Sequence, residues 1–595
     1  MVVVPYSSRS SLASRGTYVR IFTFNSSEYL IQQSHIFAAT YRGTSTFSLP
    51  HLIRRSSPHN PPLWWYHTIP LAATLHSFTK YTIATMTVDL SSDTNGECQE
   101  APTPHDGTPL LKKAKETGLS PDEARAFQLA SQVALDYRQQ VPNLPVRPTV
   151  PLDQAVARFR QPLPTHGEAA DKVIQEMVAK ADGALHQMSS GNFYGYVLGG
   201  SMPVGVAADM IVSAWGQNCG SAKETPACTG MERTVCDWVL DLLGLPADCG
   251  VGLVTGASVA NTVSIMAARN ALLEAQNWNV EENGLFGAPE IPVLIGEAAH
   301  SAPLAALRYA GLGALRVTTI KADNQGRIMT SELRKALEQC ARPPLVILQA
   351  GQINSGAFDP FEEIIPLVHA KGGWVHVDGA FGLWLAAVPS LVTSYTTRGV
   401  HLADSWAVDL HKWLNAPFDA GVAIVRKRRY LVASMSARGA YLPDLNEHWE
   451  PTDSTMELSR RARGVPTYAI LKHLGKSGVR ELITRHVEIA KYIAAELART
   501  PGLTILNDVV CNQIAVVCGN KGPQGDAQTK AVLNLVQQNG KTYPSHGVWQ
   551  GRTIIRISVI CYATTMEHAR TVVAEIQSAW NVVQTEYGST SSSYS

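Results

Sequence analysis

The segment WAVDLHKWLN, residues 406–415, places a lysine directly after a histidine and an aspartate three residues before that lysine. A lysine in a globular domain is usually exposed, but Lys412 stands between Trp406 and Trp413, which favours a buried position. Burial lowers the pKa of a lysine side chain, and the neutral amine then attacks carbonyl carbon atoms. The segment therefore indicates a nucleophilic amine in a pocket, and a surface charge is the alternative interpretation.

Three further groups stand where predicted strands end. Gly256, Ala257 and Ser258 form a turn of small residues before a helix, which is typical of an anion site because helix N-terminal N–H groups point at the ligand. His300 offers a flat face to a planar ligand, or an acid and base. Asp378 ends a buried run, where a carboxylate needs a partner such as a cationic nitrogen. Taken alone, each group is equally typical of a structural turn, histidine or helix cap.

One ligand accounts for all of these groups together. Pyridoxal 5'-phosphate carries a phosphate, an aromatic ring, a pyridinium nitrogen and an aldehyde, and it needs a lysine and an aspartate partner. The order along the chain is Ser258, His300, Asp378 and Lys412. The small residue Ala380, just after the aspartate, leaves room for a flat ring. The set therefore predicts a pyridoxal phosphate site.

Short apolar runs alternate with helical stretches from residue 250 onward, and one more short run lies around residues 405–410. Continuous apolar runs are typical of strands buried on both faces, and helical crossovers make such a sheet parallel. Ligands bind beyond the carboxyl ends of these strands. The pattern predicts a three-layer α/β domain. The principal runs are VGLVTG (251–256), IPVLIGE (291–297), LRVTTI (315–320), PLVILQAG (344–351), GGWVHVDGA (372–380) and AGVAIVRK (420–427).

Composition and periodicity divide the chain into four predicted parts. Amphipathic spacing predicts helices over 119–140, 151–161 and 169–185, and a long helix over 465–497. The predicted parts are an extension and linker over 1–116, taken as disordered, an N-terminal helical segment over 117–195, a large cofactor-binding domain over 196–435, and a small C-terminal domain over 436–595.

Overall composition argues against several classes of partner. The 50 basic and 49 acidic residues nearly balance, so nucleic acid is not an expected partner. No run of 18 apolar residues occurs, so a membrane span is not expected. The nine cysteines form no CxxC pair, so neither a zinc site nor a redox pair is expected. An odd, scattered set fits a reducing compartment, and we expect a cytoplasmic location.

The first 86 residues hold Glu28 as their single acidic residue, together with seven lysines or arginines and many serines. An N-terminus that is rich in arginine and serine and poor in acids is typical of mitochondrial transit peptides. The alternatives are a disordered extension, or upstream sequence before a start at Met86. A mitochondrial location therefore stays open beside the cytoplasmic one.

Four segments resemble the group II pyridoxal-phosphate-dependent decarboxylases, which include the aromatic-L-amino-acid, glutamate, histidine and tyrosine decarboxylases. The resemblance runs from about residue 117 to 580. It implies fold type I, a mostly parallel seven-stranded sheet, a smaller α+β C-terminal domain, and a homodimer that acts on an amino acid. The segments are TGASVANTVSIMAARNALL (255–273), GEAAHSAPLAALRYAGLG (296–313), WVHVDGAFG (374–382) and DLHKWLNAPFDAGVAIVRK (409–427).

The same resemblance implies roles for individual residues. Lys412 matches the lysine that attaches covalently to the cofactor, and Asp378 matches the partner of the ring nitrogen. His300 matches the residue that stacks on the ring. These three are the expected catalytic residues. The expected cofactor-binding residues are Gly256, Ala257, Ser258, His300, Asp378, Ala380, His411 and Lys412.

The implied reaction is decarboxylation of an L-amino acid to its amine and carbon dioxide. In animal aromatic decarboxylases a loop tyrosine protonates the product, and Asn446 matches that position here. The proton donor is therefore unassigned. Another carbon–carbon lyase reaction, decarboxylation linked to oxidative deamination, β-elimination and a catalytically silent homologue are the alternatives.

The residues that choose the substrate are less clear from the sequence. Tyr194 and Tyr196 are candidates for the pocket wall. Four arginines are candidates for binding an acidic substrate, although a solvated or structural role is the expectation for each one. They are Arg460, Arg461, Arg463 and Arg556.

Overall fold

The computed structural model describes residues 18–21, 38–41, 118–436 and 450–591. The chain divides into two units between Thr108 and Pro109. In the first unit, strands β1 (Tyr18–Ile21) and β2 (Ala38–Tyr41) pair antiparallel. The remainder of the predicted extension and linker, 1–116, lies outside the described residues, as does the predicted start at Met86.

The second unit begins with the three predicted helices, α1 (Pro121–Gln140), α2 (Leu152–Phe159) and α3 (Ala170–Ala181). Ser120 caps α1 through a reciprocal capping box with Glu123, in which each side chain accepts from the other residue's backbone N–H. No residue of these three helices is buried. Their apolar faces therefore have little partner surface within the described chain.

The large domain is built on a seven-stranded sheet, which confirms the predicted three-layer α/β architecture. The strand order is β4-β10-β9-β8-β7-β5-β6, and only β10 runs antiparallel to its neighbours. The strands are β4 (Gly250–Val254), β5 (Val293–Gly296), β6 (Val317–Ile320), β7 (Leu345–Gln349), β8 (Trp374–Asp378), β9 (Ser405–Asp409) and β10 (Gly421–Val425).

Helices cover both faces of this sheet. On β10, Val422 and Ile424 pack into one core, whereas Ala423 and Val425 pack into the other, because alternate side chains point to opposite faces. Strand β10 is therefore apolar at successive positions and buried along its whole length. The helices before and within the domain are α4 (Pro203–Trp215), α5 (Pro226–Leu243), α6 (Ala257–Glu274), α7 (Val280–Asn283), α8 (Ser301–Tyr309), α9 (Thr330–Gln339), α10 (Phe361–His369) and α11 (Arg428–Met435).

The C-terminal part is α+β, as predicted. Its long helix α12 (Gly464–Ala498) bends at Gly475, whose φ of 60° breaks the helical conformation. A five-stranded sheet follows in the order β11-β12-β14-β13-β3. The elements are β11 (Leu503–Ile505), β12 (Gln513–Cys518), α13 (Pro523–Asn539), β13 (Tyr543–Trp549), β14 (Arg552–Ser558) and α14 (Met566–Ser591).

The edge strand β3 (Phe193–Tyr194) comes from the end of the predicted N-terminal segment and pairs in parallel with β13. The chain therefore enters the large domain directly from the C-terminal sheet. None of the helices in the described ranges is long and apolar enough to cross a membrane.

Asn415 joins three segments around the end of WAVDLHKWLN. Its Nδ2 donates to the carbonyls of Trp413 (2.7 Å) and Ile560 (3.0 Å), and its Oδ1 accepts from the N–H of Tyr562 (2.9 Å). Its own carbonyl accepts from the N–H of Met202 at 2.8 Å. The residue is fully buried and has a left-handed backbone with φ of 58°. Asn is one of the few residues that tolerate this conformation.

We expect Asn415→Ala to lower the free energy of unfolding by about 3 kcal/mol, because three side-chain hydrogen bonds of about 1 kcal/mol each are lost. Urea denaturation followed by circular dichroism measures the change. Asn415→Gly is the control, since glycine relieves the backbone strain without replacing the bonds. Full recovery of stability in Asn415→Gly would show that the hydrogen bonds contribute little.

Candidate active site

A cavity of about 440 Å³ opens at the carboxyl ends of β4, β5, β7, β8 and β9. All of the predicted site residues line it, although they come from four separate parts of the sequence. This is the edge of the sheet where the fold class places ligands. The lining residues from the predicted set are Gly256, Ala257, Ser258, His300, Asp378, Ala380, His411 and Lys412.

The first group is the turn between β4 and α6. Helix α6 begins at Ala257, and Gly256 precedes it without a side chain to cap it. A Cβ on Gly256 would lie 3.0 Å from His411 Cε1 and 3.1 Å from Asp409 Oδ1, so the turn fits closely against the lysine loop. The N-terminus of α6 and Ser258 therefore border the cavity, where they would offer backbone N–H and hydroxyl donors to an anion.

The lysine loop carries the second group. Lys412 Nζ lies 3.0 Å from Asp409 Oδ2, and the exposed fractions of the two side chains are 21% and 4%. Asp409 Oδ1 also accepts the N–H of Ala257 at 2.5 Å. The surface interpretation of Lys412 is therefore wrong, because its amine lies in the cavity against a buried carboxylate.

Asp409 is a site residue that the predicted set lacks. It links the lysine loop to the first turn of α6, and it lines the cavity itself. Its spacing of three residues from Lys412 is the signal that finds it in the sequence, since a tight turn after a strand brings such residues together. The long-range contact with Ala257 has no such signal.

The third group is Asp378 at the end of β8. Its side chain is buried, and Oδ1 accepts the N–H of Ala380 at 3.3 Å. Burial raises the pKa of this carboxyl, while His300, Lys412, the Ala380 N–H and the Asn261 amide each lower it. The site therefore contains a costly buried acid surrounded by groups that favour its ionised form.

His300 caps helix α8 at the cavity edge. Its Nδ1 accepts the N–H of Ala302 at 3.2 Å, and its own N–H donates to Gln349 Oε1 at 3.2 Å. Desolvation by the surrounding protein lowers the pKa of the ring, although the Asp378 charge opposes this shift. The ring is thus neutral near pH 7, and because Nδ1 accepts, its proton lies on Nε2.

Two further contacts complete the cavity floor. His411 Nδ1 accepts the N–H of Ala420 at 3.2 Å, and burial lowers the pKa of this ring. Gln349, which holds His300, donates its own backbone N–H to the buried carboxyl of Asp359 at 2.7 Å. Gln349 thus holds the backbone of His300, and Asp359 holds the backbone of Gln349 at the end of β7.

The two candidate tyrosines have different environments. Tyr196 lines the cavity, and its hydroxyl lies 3.1 Å from that of Tyr543. Tyr196 and Val197 both have left-handed backbones, with φ of 59° and 57°. Such strain in two successive residues is held by the surrounding fold and is common at binding sites. Tyr194 is fully buried in the C-terminal core and does not line the cavity.

None of the four candidate arginines lines the cavity. Arg460 pairs with Glu232 at 2.6 Å in the core, and Arg461 and Arg463 pair with aspartates. Arg556 is buried, with Nη1 3.5 Å from Asn354 Oδ1. The ion pairs of Arg460, Arg461 and Arg463 agree with the structural roles expected for them, whereas Arg556 has a buried Nε without a partner and helps to lower the pKa of His300. Asn446 lies outside the described residues.

The donor set fits pyridoxal phosphate. An anion site at the α6 N-terminus, a lysine amine, a buried carboxylate and a small residue, Ala380, all face one cavity. Ser258 and the α6 backbone would hold the phosphate, Asp378 the ring nitrogen, and Lys412 the aldehyde carbon. His300 would lie against the ring.

Comparison with known proteins gives the same answer. Residues 153–518 match the family model described as the pyridoxal-dependent decarboxylase conserved domain. The aromatic-L-amino-acid decarboxylase of Bacillus atrophaeus is 25% identical over 493 residues, which cover 79% of this chain and 98% of the relative. The phenylacetaldehyde synthase of Arabidopsis thaliana is 26% identical over 473 residues, which cover 76% and 93%.

Solved structures share the fold. The crystal structure of Oryza sativa TDC with PLP and tryptamine has a TM-score of 0.71 at 22% identity, and the match covers 78% of this chain and 99% of that one. Catharanthus roseus tryptophan decarboxylase in complex with L-tryptophan has a TM-score of 0.70 at 20% identity, and the match covers 79% and 100%.

We expect Gly256→Val to weaken cofactor binding by about fivefold or more, because overpacking of about 1–3 kcal/mol is expected where the added methyl groups meet His411 and Asp409. Absorbance titration of the cofactor-free protein with pyridoxal phosphate measures the affinity. Gly230→Ala is the control, since nothing lies within 4 Å of a Cβ there. Unchanged affinity in Gly256→Val would remove this turn from the site.

Proposed function

Because the chain belongs to the pyridoxal-dependent decarboxylase family, we propose that its cavity accepts an L-amino acid with an aromatic side chain and that the products are the amine and carbon dioxide. The observation that carries the proposal is the single cavity that joins Lys412, Asp378, His300 and the α6 N-terminus. Bound pyridoxal phosphate supplies an electron sink for the pair released when carbon dioxide leaves.

The chain's own residues prepare this step. Asp378 presents a carboxylate that holds a proton on the ring nitrogen. Lys412 supplies the amine that would bind the aldehyde carbon of the cofactor. Asp409 lies at 3.0 Å from Lys412 Nζ, so it orients this amine and takes part in its charge balance. His300, whose backbone N–H is held by Gln349, would provide a flat, neutral face for the ring.

The cavity wall supports an uncharged substrate side chain. Tyr196, Val197, Ile353 and Phe381 form its apolar part, and Lys412 is the only lysine or arginine among the described lining residues. An acidic side chain would therefore meet no lysine or arginine among these lining residues other than Lys412, which would be occupied by the cofactor. Relatives named as aromatic-L-amino-acid, tryptophan and tyrosine decarboxylases support the aromatic class.

A second candidate is decarboxylation linked to oxidative deamination, in which dioxygen is the oxidant and the products are an aldehyde, ammonia, carbon dioxide and hydrogen peroxide. Two similar relatives are named phenylacetaldehyde synthase and 4-hydroxyphenylacetaldehyde synthase. The residue matched to the proton-donating tyrosine is Asn446, which supports keeping this candidate.

We expect L-tryptophan, L-tyrosine or L-phenylalanine to give amine and carbon dioxide in equal amounts, with kcat/KM more than about a hundredfold above that for L-glutamate, because an unpaired buried charge costs several kcal/mol. Chromatography with amine, aldehyde, ammonia and carbon dioxide detection measures the products. Lys412→Ala is the control for uncatalysed loss. Aldehyde and ammonia without amine would select the second candidate, and preference for glutamate would contradict the substrate class.

We also propose a homodimer in which a second copy covers the N-terminal helices. Leu152, Val156 and Phe159 lie along one face of α2 at helical spacing, and all three are exposed. Exposed apolar side chains also occur on the neighbouring helices, including Val173 and Met177 on α3. An exposed apolar surface of this kind is typical of a protein interface.

We expect the full chain to have twice its single-chain mass of 64.4 kDa in solution, and Val156→Glu together with Phe159→Glu to shift it to the monomer, because two charges would be buried unpaired. Size-exclusion chromatography with light scattering measures the mass. Phe286→Glu is the control, since Phe286 is fully exposed elsewhere. A monomeric wild-type chain, or a double variant that stays dimeric, would contradict this interface.

A cytoplasmic location is proposed from the cysteines. All eight cysteines in the described part of the chain are free, which supports a reducing compartment. The mitochondrial alternative rests on residues 1–86, and microscopy of the full chain fused at its C-terminus to a fluorescent protein distinguishes the two.

A further inference from the structure

A chain of buried polar side chains runs behind Asp378. Trp374 Nε1 donates to Ser405 Oγ at 2.9 Å, and the same oxygen lies 2.9 Å from His376 Nδ1. His376 Nε2 in turn lies 2.7 Å from Asn261 Oδ1. The side chains are all buried, with Ser405, His376 and Asn261 wholly inaccessible. None of the contacts described for the candidate active site involves these four side chains in holding the cofactor.

The two end residues of this set, Trp374 and Asn261, fix which atom donates the proton in each hydrogen bond. An indole N–H only donates, so Ser405 Oγ accepts from Trp374, and an amide oxygen only accepts, so His376 Nε2 carries the proton that faces Asn261 Oδ1. Burial lowers the pKa of His376 to about 3, so the ring is neutral, and its unprotonated Nδ1 accepts from the Ser405 hydroxyl. The Asn261 amide is thereby held in one orientation, because the flipped amide would place two donors against each other.

In this orientation, Asn261 Nδ2 takes no part in these hydrogen bonds and faces the cavity. Asn261 lines the cavity, and its Nδ2 is buried without a hydrogen-bond partner in the described structure. The Asn261 amide is also one of the groups that favour the ionised form of Asp378. A buried donor without a partner is rare in folded proteins, and in a binding site it indicates a group that acts on a neighbour or ligand.

The sequence places these residues together for simple geometric reasons. His376 and Asp378 are two residues apart on β8, so their side chains lie on the same face of the sheet. Asn261 lies one turn after Ala257 on α6, which packs over that face. One helix therefore offers its N-terminus to the phosphate and, one turn later, an amide to the aspartate.

We propose that Asn261 is a positioning residue for the reaction: His376 orients its amide so that Nδ2 faces the Asp378 carboxylate and anchors it toward the ring nitrogen of the cofactor. This inference rests on the proposed function, since it needs pyridoxal phosphate in the cavity. It assigns to His376 and Ser405 the task of selecting the amide orientation. Both act through Asn261 and touch no substrate.

The test is the pH dependence of pyridoxal phosphate binding to cofactor-free protein, followed by absorbance without substrate. The titratable and charged groups that face Asp378 are His300 and Lys412, and both stay unchanged in every variant. Asn261→Leu removes the amide at similar volume, and His376→Leu removes the donor that orients it. His376→Gln is the matched control, because its side-chain amide donates to Asn261 Oδ1 and accepts from Ser405.

We expect Asn261→Leu and His376→Leu to weaken binding about tenfold near neutral pH and to move the acid limb of the binding curve to higher pH, because Asp378 then ionises less readily. His376→Gln restores the wild-type curve. Ser405→Ala supplies a milder variant of the same kind if His376→Leu fails to fold, and the same upward shift of the acid limb is expected.

Failure of this inference and failure of the proposed function would give two different results. Variants that unfold at lower temperature but keep the wild-type acid limb would show a structural role only and overturn the inference. Wild-type protein that binds no pyridoxal phosphate would overturn the proposed function itself, before any variant is compared.

Discussion

A negative charge held at the end of a buried strand is the constraint on which this site depends. Asp378 is covered by protein, and burial opposes its ionised form. The ionised form is nevertheless the one that a cationic ring nitrogen needs. The surroundings of the carboxylate offset this cost in part: His300, Lys412, a backbone N–H and a side-chain amide each lower the pKa of the carboxyl, which burial raises overall. Each comes from a different element of the large domain.

The parallel sheet is what makes this compensation possible. Strands that run in the same direction bring their carboxyl ends to one edge, so residues far apart in sequence meet there. Strand β10 is the exception in direction, and it lies between β4 and β9. After the lysine loop, β10 carries the chain back between β9 and β4. Asp409, at the end of β9, then accepts the first N–H of α6. The anion site and the lysine are thus coupled through one carboxylate.

Much of this arrangement of strands and site residues can be predicted from the sequence for a physical reason. Strands buried on both faces must be apolar throughout, so the six principal runs and the shorter run at 405–410 are visible as such. The residues after those runs then identify Ser258, His300, Asp378 and Lys412. The helices over 121–140 and 464–498 are visible from their spacing, and the first is also visible from its Ser120 cap.

Other features depend on partners that local sequence does not specify. Asp409 and Asn261 have a role only because distant elements are brought against them, and His376 alone is one more residue in an apolar run. Tyr194 and Tyr196 are neighbours of the same type, but one points into the C-terminal core and the other borders the cavity. Their separation follows from the pairing of β3 with β13, which no local pattern indicates.

That pairing has a consequence for how the protein can change. Tyr196 leaves the edge of the C-terminal sheet and donates its backbone N–H to Ser545 on β13, while its hydroxyl lies against Tyr543. Tyr196 is thus attached to one sheet, whereas the groups that would hold the cofactor follow strands of the other. Under the proposed function, substitutions in β13 would therefore change how Tyr196 meets the substrate while the cofactor site stays as it is, so that selectivity and catalysis can change separately within one chain.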